Sequence, residues 1–188
     1  MAKGDTWRDW QRPYLPGTFV LWPPDELRVR VNTLRSWYDP ESQRICDAHV
    51  TVTQPLLRAP TDDDWRVLEL VVEDHAAFDV EVGPVGSFLP HPCIWLGINP
   101  AYRVLALRGA LHATGLFNLR IPHPENFTPH MTITEGLSGA PVDRALFEQL
   151  RDSVESGSFH CASLAYIVPD DDFHFVVART LPLRPSGD

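Results

Sequence analysis

Two short stretches of this chain are near copies. His49 to Pro55 reads HVTVTQP and His130 to Gly136 reads HMTITEG, each opening His-x-Thr-x-Thr, with starts 81 positions apart (130 − 49). Alternating β-branched residues predict a strand, and a strand sends successive side chains to opposite faces. Val50 and Val52 therefore share one face while His49 and Thr51 share the other. Met131 and Ile133 oppose His130 and Thr132 in the same way. A fold that buries both apolar faces against helices must present two imidazoles and two hydroxyls on the reverse. This is a strong constraint on the architecture, because both copies need equivalent surroundings, and it points to an internally duplicated chain.

The flanking pattern agrees. GTFVLWPP predicts a strand, DELRVRVNTLRSWYD a helix with an acidic start, and RICDAHVTVTQPL the first motif strand. TDDDWRVLELVVEDH then predicts a helix N-capped by Thr61, and AFDVEVGPV and HPCIWLGIN a pair of strands. In the second half PAYRVLALRGALHATG predicts a helix that starts near Pro100 and stops at Gly115. The motif strand FTPHMTITEGL and the helix APVDRALFEQLRDSV follow. FHCASLAYIVP and FHFVVARTLPL close the chain as two strands around an acidic turn, Pro169 to Asp172. The expected fold is α/β (α+β), bilobal and internally duplicated, with antiparallel sheets lining a central groove and helices outside. One domain, 1–188, is expected to hold a first lobe over roughly 17–99 and a second over roughly 100–188, the two motif strands facing each other across the groove.

At 188 residues the chain is long enough for one sizeable core, and 44% hydrophobic with 22% charged residues is ordinary globular usage. A formal charge of −9 argues against an electrostatic grip on long nucleic acid, since Lys and Arg supply most of that affinity. Arg103, Arg108 and Arg120 are dispersed, and a small phosphorylated ligand stays compatible. Cys46, Cys93 and Cys161 are odd in number and widely spaced, which speaks against a disulfide framework and a zinc knuckle; Cys46, three residues before His49, is read as a buried free thiol, with a place close to the groove as the alternative. His75, His91, His112, His123, His160 and His174 show no HExxH spacing, so no metal site is expected, and no Gly-rich phosphate loop supports ATP-driven ligation. TDDDW reads as an acidic helix start and PDDDFH as a hairpin turn. No apolar run approaches the roughly 20 residues of a membrane helix, and the start lacks an apolar secretion signal. A cytoplasmic, monomeric protein is the expectation.

Two imidazoles with ordinary pKa values near 6.5 can hold opposite protonation states at neutral pH, one as base and one as acid. Two hydroxyls can donate to phosphoryl oxygens where charge develops. His49, Thr51, His130 and Thr132 are therefore the candidate catalytic residues for phosphodiester chemistry. Trp22 and Tyr166 are candidate substrate-binding residues, as rings on which a base could stack, with a place in the core as the commoner alternative for each.

The pair HVTV and HMTI, the second set in FTPHMTIT, resembles the 2H phosphoesterase superfamily, in particular its 2′-5′ RNA ligase and cyclic phosphodiesterase branches. TFVLWPPDE and SFLPHPCIWLGINPAYRVLALRGAL extend the likeness over most of the chain. The resemblance implies a bilobal α/β fold with a pseudo-twofold axis, metal-free chemistry without cofactors, and catalytic roles for His49, Thr51, His130 and Thr132. It further implies a small nucleotide-like substrate: a 2′,3′-cyclic phosphate, ADP-ribose cyclic phosphate or a 2′-5′-linked oligonucleotide. The expected function is a metal-independent cyclic phosphodiesterase. An ATP-independent 2′-5′ RNA ligase acting on RNA ends and a non-catalytic nucleotide-binding module are the alternatives.

Overall fold

The structure is a computed structural model that describes residues 7–121 and 127–186, so His123 lies outside the described residues. In chain order the elements are β1 (Thr18–Leu21), α1 (Asp25–Tyr38), α2 (Pro40–Ile45), β2 (Val50–Thr51), α3 (Asp62–Glu73), β3 (Phe78–Ser87), β4 (Ile94–Asn99), α4 (Ala101–Ala113), β5 (His130–Thr134), α5 (Arg144–Ser153), β6 (Gly157–Cys161), β7 (Ser163–Pro169) and β8 (Phe175–Pro182). The strands form one antiparallel sheet in the order β6-β3-β4-β5-β2-β1-β7-β8, which makes the motif strands β5 and β2 central neighbours.

Local chemistry sets many boundaries. Thr61 and Asp64 form a reciprocal capping box at the start of α3, and three aspartates occupy its first turn, where the positive end of the helix favours them. That accounts for TDDDW without a cation. Asp143 caps α5 through Leu146 N at 3.0 Å. Asp170 accepts from the N–H groups of Asp172 and His174 in the acidic β7–β8 turn.

Two predicted strands come out differently. Asp39 precedes a proline and adopts φ −155°, ψ 67°, which ends α1; Asp39 then caps a second helix with Pro40 in its first turn. This helix, α2, takes Arg44 and Ile45 out of the predicted motif strand and leaves β2 with two residues. Near the other end FHCASLAYIVP divides into β6 and β7 about Ala162, giving three final strands where two were expected.

The duplication is visible as β1-α1-β2-α3 followed by β4-α4-β5-α5, with β1 paired to β2 as β4 is paired to β5. The second copy of this pattern begins with β4, at Ile94. The halves of the sheet also mix the halves of the chain: β3 and β4 lie with β5 and β6, β1 and β2 with β7 and β8. The sheet therefore does not divide at 99/100, because the β3–β6 and β1–β7 ladders each join strands from both sides of that point. Nor do the motif strands face each other across a groove. They are hydrogen-bonded side by side, Val50 opposite Met131.

One face of the sheet carries the main core, where Phe19, Leu21, Val50, Val52, Leu96, Met131 and Ile133 meet Leu68, Val72, Leu107, Leu111 and Leu150 from the helices. A smaller cluster of Trp7, Val20, Cys46, Ala165, Ile167, Phe173 and Phe175 covers part of the other face. Among the described residues no helix is long and apolar enough to cross a membrane.

Candidate active site

The β2–β5 register builds the site. With Val50 opposite Met131, His49 stands opposite Thr132 and Thr51 opposite His130, and opposed residues in an antiparallel ladder share a face. All four side chains line one pocket of about 470 Å³ on the face away from the main core. The pocket continues through Trp10, Tyr14, Thr18, Gln54, Ile167, Phe173 and Phe175 on one side and Arg35, Ser42, Cys46 and Glu135 on another.

Both histidines are held the same way. His49 Nδ1 lies 2.7 Å from Asp47 O and His130 Nδ1 2.7 Å from Thr128 O, in each case the carbonyl two residues upstream. A carbonyl only accepts, so each Nδ1–H donates and each Nε2 keeps its lone pair. Thr51 Oγ1 sits 3.4 Å from His49 Nε2. Burial disfavours a proton on either ring. His49 is pushed down to about 4, mainly by burial, with the charge of Arg35 and the neighbouring His130 adding to the effect. His130 is lowered too, by burial beneath Phe88 and Trp95, whose rings lie 5.1 and 5.9 Å from it, while the Glu135 carboxylate works in the opposite direction. Both imidazoles therefore favour the neutral form at pH 7.

Arg35 is a functional candidate that the sequence pattern does not single out. It is buried to 3% exposure on α1 and lines the pocket. Its guanidinium donates to Thr132 O at 2.8 Å, Ser42 O at 2.8 Å, Ser42 Oγ at 2.9 Å and Cys46 O at 2.9 Å. Arg108, on the equivalent helix α4, donates to Val52 O at 2.7 Å and stacks over Phe127. Each buried cation thus holds a carbonyl at one end of the short β2–β5 ladder. The signal in the sequence is faint: an arginine among the apolar positions of each helix, the same type at both.

Asp39 is likewise fully buried. It accepts from the N–H groups of Glu135, Leu137 and Ser138 and so fixes the chain that leaves β5. Hydrogen bonds to the charged form hold its carboxyl below the usual range despite burial. Cys46 is a buried free thiol beside the pocket, its Sγ 3.3 Å from His49 Nδ1, and burial raises it to about 12, so it is not a nucleophile at neutral pH.

The structure moves both weak aromatic candidates away from the site. Tyr166 pairs with Phe19 in the β1–β7 ladder, which turns its ring into the main core, and its hydroxyl donates to Pro16 O at 2.6 Å. Trp22 packs at the edge of the smaller cluster beneath the Arg28 guanidinium, 5.3 Å away, and does not line the pocket. The aromatic rings that do line it, Trp10, Tyr14, Phe173 and Phe175, come from the N-terminal turn and the β7–β8 hairpin. Strand alternation says nothing about such segments, so these rings are not legible in the sequence as pocket residues. Of the other histidines, His160 pairs with Asp79 at 2.7 Å, His174 donates to Arg44 O at 2.7 Å, and His112 Nε2 accepts from Gln54 N at 3.1 Å. Among the described residues no group of three or more His, Cys, Asp or Glu is placed to hold a metal ion.

Known proteins resemble this chain in sequence and in fold. Two Bacillus proteins provisionally named phosphoesterases match at 27% identity: one from B. cereus strain B4264 over 160 residues, one from B. thuringiensis strain Al Hakam over 164. Each match covers 84% of this chain and 85% of the relative. Among solved structures, E. coli LigT complexed with 3′-AMP superposes with a TM-score of 0.58 at 16% identity, covering 88% of this chain and 96% of LigT. A protein from Thermus thermophilus superposes with a TM-score of 0.59 at 16% identity, covering 90% and 98%. These superpositions show a common fold. Residues 23–173, a span that includes both His-x-Thr strands and most of the pocket around them, match the family model of the 2′-5′ RNA ligase superfamily. By that match the chain belongs to the 2′-5′ RNA ligase superfamily of 2H phosphoesterases.

Proposed function

We propose that the protein is a phosphodiesterase that hydrolyses a cyclic nucleotide-type phosphate, 2′,3′-cyclic or ADP-ribose cyclic phosphate, with His49, Thr51, His130 and Thr132 as its catalytic residues. The observation that carries this reading is the like orientation of the two imidazoles in one shared pocket: each Nδ1 is tied to its own backbone, which leaves each Nε2 as the nitrogen that can exchange a proton, with Thr51 Oγ1 3.4 Å from that of His49. Support for a nucleotide ligand comes from LigT, whose structures include complexes with 3′-AMP and NADP+.

In this reaction a water oxygen bonds to phosphorus and the bond from phosphorus to one ribose oxygen breaks. His49 Nε2 takes the water proton and His130 Nε2–H gives a proton to the leaving oxygen. The assignment follows the local charges. Arg35 disfavours a proton on His49, which suits the base, and Glu135 favours one on His130, which suits the acid. An anionic phosphate entering between the rings favours protonation and loads the acid. Thr51 and Thr132 donate to the non-bridging oxygens as charge grows there. The two imidazoles supply acid and base, so the proposed step needs no metal.

The test is hydrolysis of 2′,3′-cyclic nucleotides and ADP-ribose cyclic phosphate in EDTA by the wild type, His49→Ala and His130→Ala. Each variant is expected to lose about 10²–10⁴-fold in kcat/KM. Undiminished turnover in either variant sinks the mechanism. Nucleotide binding without turnover in the wild type shifts the reading to a binding module, and joining of RNA ends without ATP shifts it to a ligase.

A further inference from the structure

We infer that Gln54 selects the organic part of the substrate: its carboxamide reads a neutral group that presents a hydrogen-bond donor and acceptor side by side, the chemistry of a nucleobase edge. The inference rests on the phosphodiesterase reading only in placing the phosphate between His49 and His130.

Gln54 follows His49 by five residues, as Glu135 follows His130 by five, and both line the pocket, so the duplication delivers two equivalent positions to its wall. Their side chains are treated differently. Glu135 accepts from Ser42 Oγ at 2.9 Å. The Gln54 carboxamide, in a residue only 9% exposed, has no hydrogen-bond partner among the described residues. The backbone of Gln54 is held through its N–H, which donates to His112 Nε2 at 3.1 Å, and its carbonyl is the farther of two acceptors that share the Thr18 hydroxyl, at 3.4 Å. The fold thus anchors this residue in the pocket lining and leaves its two amide donors and one acceptor without a protein partner among the described residues. The amide atoms of Gln54 are not among the buried unpartnered polar atoms of the described residues and so keep contact with solvent, and a ligand that supplies matched partners exchanges that water for its own hydrogen bonds there.

The neighbouring chemistry narrows the ligand. Thr18 and Thr53 satisfy each other, Thr18 Oγ1 donating to Thr53 O at 2.9 Å and Thr53 Oγ1 accepting from Phe19 N at 3.1 Å, so Gln54 holds the unspent hydrogen-bonding capacity at this end. Thr18 lies opposite Ile167 in the sheet, and Ile167, Tyr14 and Phe175 supply apolar wall suited to a flat ring. Arg35 is the arginine that lines the pocket among the described residues, and its two terminal nitrogens are already committed to carbonyls and to Ser42; Arg108, the cation nearer the Gln54 end, is not a lining residue and holds Val52 O, so neither is offered to a second phosphate. A neutral base fits this end; a polyphosphate does not.

Equilibrium binding tests this independently of catalysis. Affinities of the four nucleoside 3′-monophosphates and of abasic ribose 3-phosphate are measured by calorimetry for the wild type, Gln54→Met and Gln54→Glu, with thermal midpoints confirming that each variant folds. The wild type is expected to bind at least one nucleotide about tenfold or more tightly than the abasic phosphate. Gln54→Met, of similar length without the amide, is expected to cut that preference about tenfold. Gln54→Glu, which exchanges two donors for an acceptor, is expected to change which base is preferred. A wild type without base preference overturns the proposal. So does a Gln54→Met variant whose preference is intact, including one that binds every probe more weakly by the same factor. Base-selective binding by a wild type that opens no cyclic phosphate refutes the phosphodiesterase and leaves the role of Gln54 standing.

Discussion

Replacing Asp39 with asparagine removes one charge from the centre of a network that spans two elements. The carboxylate is fully buried and accepts six contacts. Oδ2 takes Glu135 N at 2.9 Å, Leu137 N at 3.3 Å and Thr134 Oγ1 at 3.3 Å; Oδ1 takes Ser138 Oγ at 2.7 Å, Ser138 N at 3.0 Å and Ser42 N at 3.4 Å. Hydrogen bonds to a charged group contribute roughly 1.5–3 kcal/mol each, and contacts that share two oxygens do not add. The three at or below 3.0 Å carry most of the effect. The carboxamide of Asp39→Asn keeps the shape but turns an NH₂ toward backbone N–H donors whichever way it is flipped, so the expected loss is about 3 kcal/mol. For a chain of this length that lowers the thermal midpoint by about 6–12 °C. Urea titration of both proteins at pH 7 measures it. Because hydrogen bonding holds the folded-state pKa below 3.8, the wild type carries this stabilisation above pH 3.8 and loses it as pH falls through the folded value. Asp39→Asn lacks that acid-dependent portion. A loss below about 1 kcal/mol, or an unchanged acid limb, refutes the reasoning.

Other outcomes follow from the same site. For kcat/KM, which reports the free enzyme, His49 must be neutral and His130 protonated. With His49 at about 4 and His130 below 6.5, the profile is expected to peak between those values and fall on the alkaline side; a maximum above about pH 7 contradicts the assigned roles. Arg35→Met strips four hydrogen bonds from buried acceptors and is expected to cost about 3–5 kcal/mol in urea unfolding. It also removes a charge that lowers His49, so the acid limb of kcat/KM moves to higher pH, a shift that a purely structural arginine does not produce. The lowered His49 pKa has a stability consequence as well. The unfolded chain takes up a proton near 6.5 and the folded one near 4, so stability declines across that window by up to about 3 kcal/mol. His49→Gln is expected to flatten that part of the curve in pH-dependent melting.

Which parts are legible in the sequence depends on whether their cause is local. Thr61 with Asp64 announces a helix start because the cap is made within four residues. Helix α2 escapes the sequence pattern although Asp39-Pro40 is a start signal, because the alternation of the motif strand runs backward over Arg44 and Ile45. Tyr166 reads as either a groove or a core residue because an aromatic on a strand has two faces to choose from, and only its pairing with Phe19 sends it to the core. Gln54 carries no signal until its side chain is seen without a partner.

Alternation within two five-residue stretches determined that His49 with Thr51, and His130 with Thr132, share faces, and that those faces lie opposite the buried Val and Ile or Met side chains. The sequence by itself went that far because side-chain direction along a strand is a property of the backbone alone. That the two strands lie side by side, with each histidine facing the other strand's threonine, was decided by the Val50–Met131 register, which depends on packing between residues 81 positions apart. The charges that distinguish the histidines were decided there too. Arg35 and Glu135 reach them only when α1 and the chain after β5 close over the sheet, and no local pattern records a contact between segments so distant in the chain.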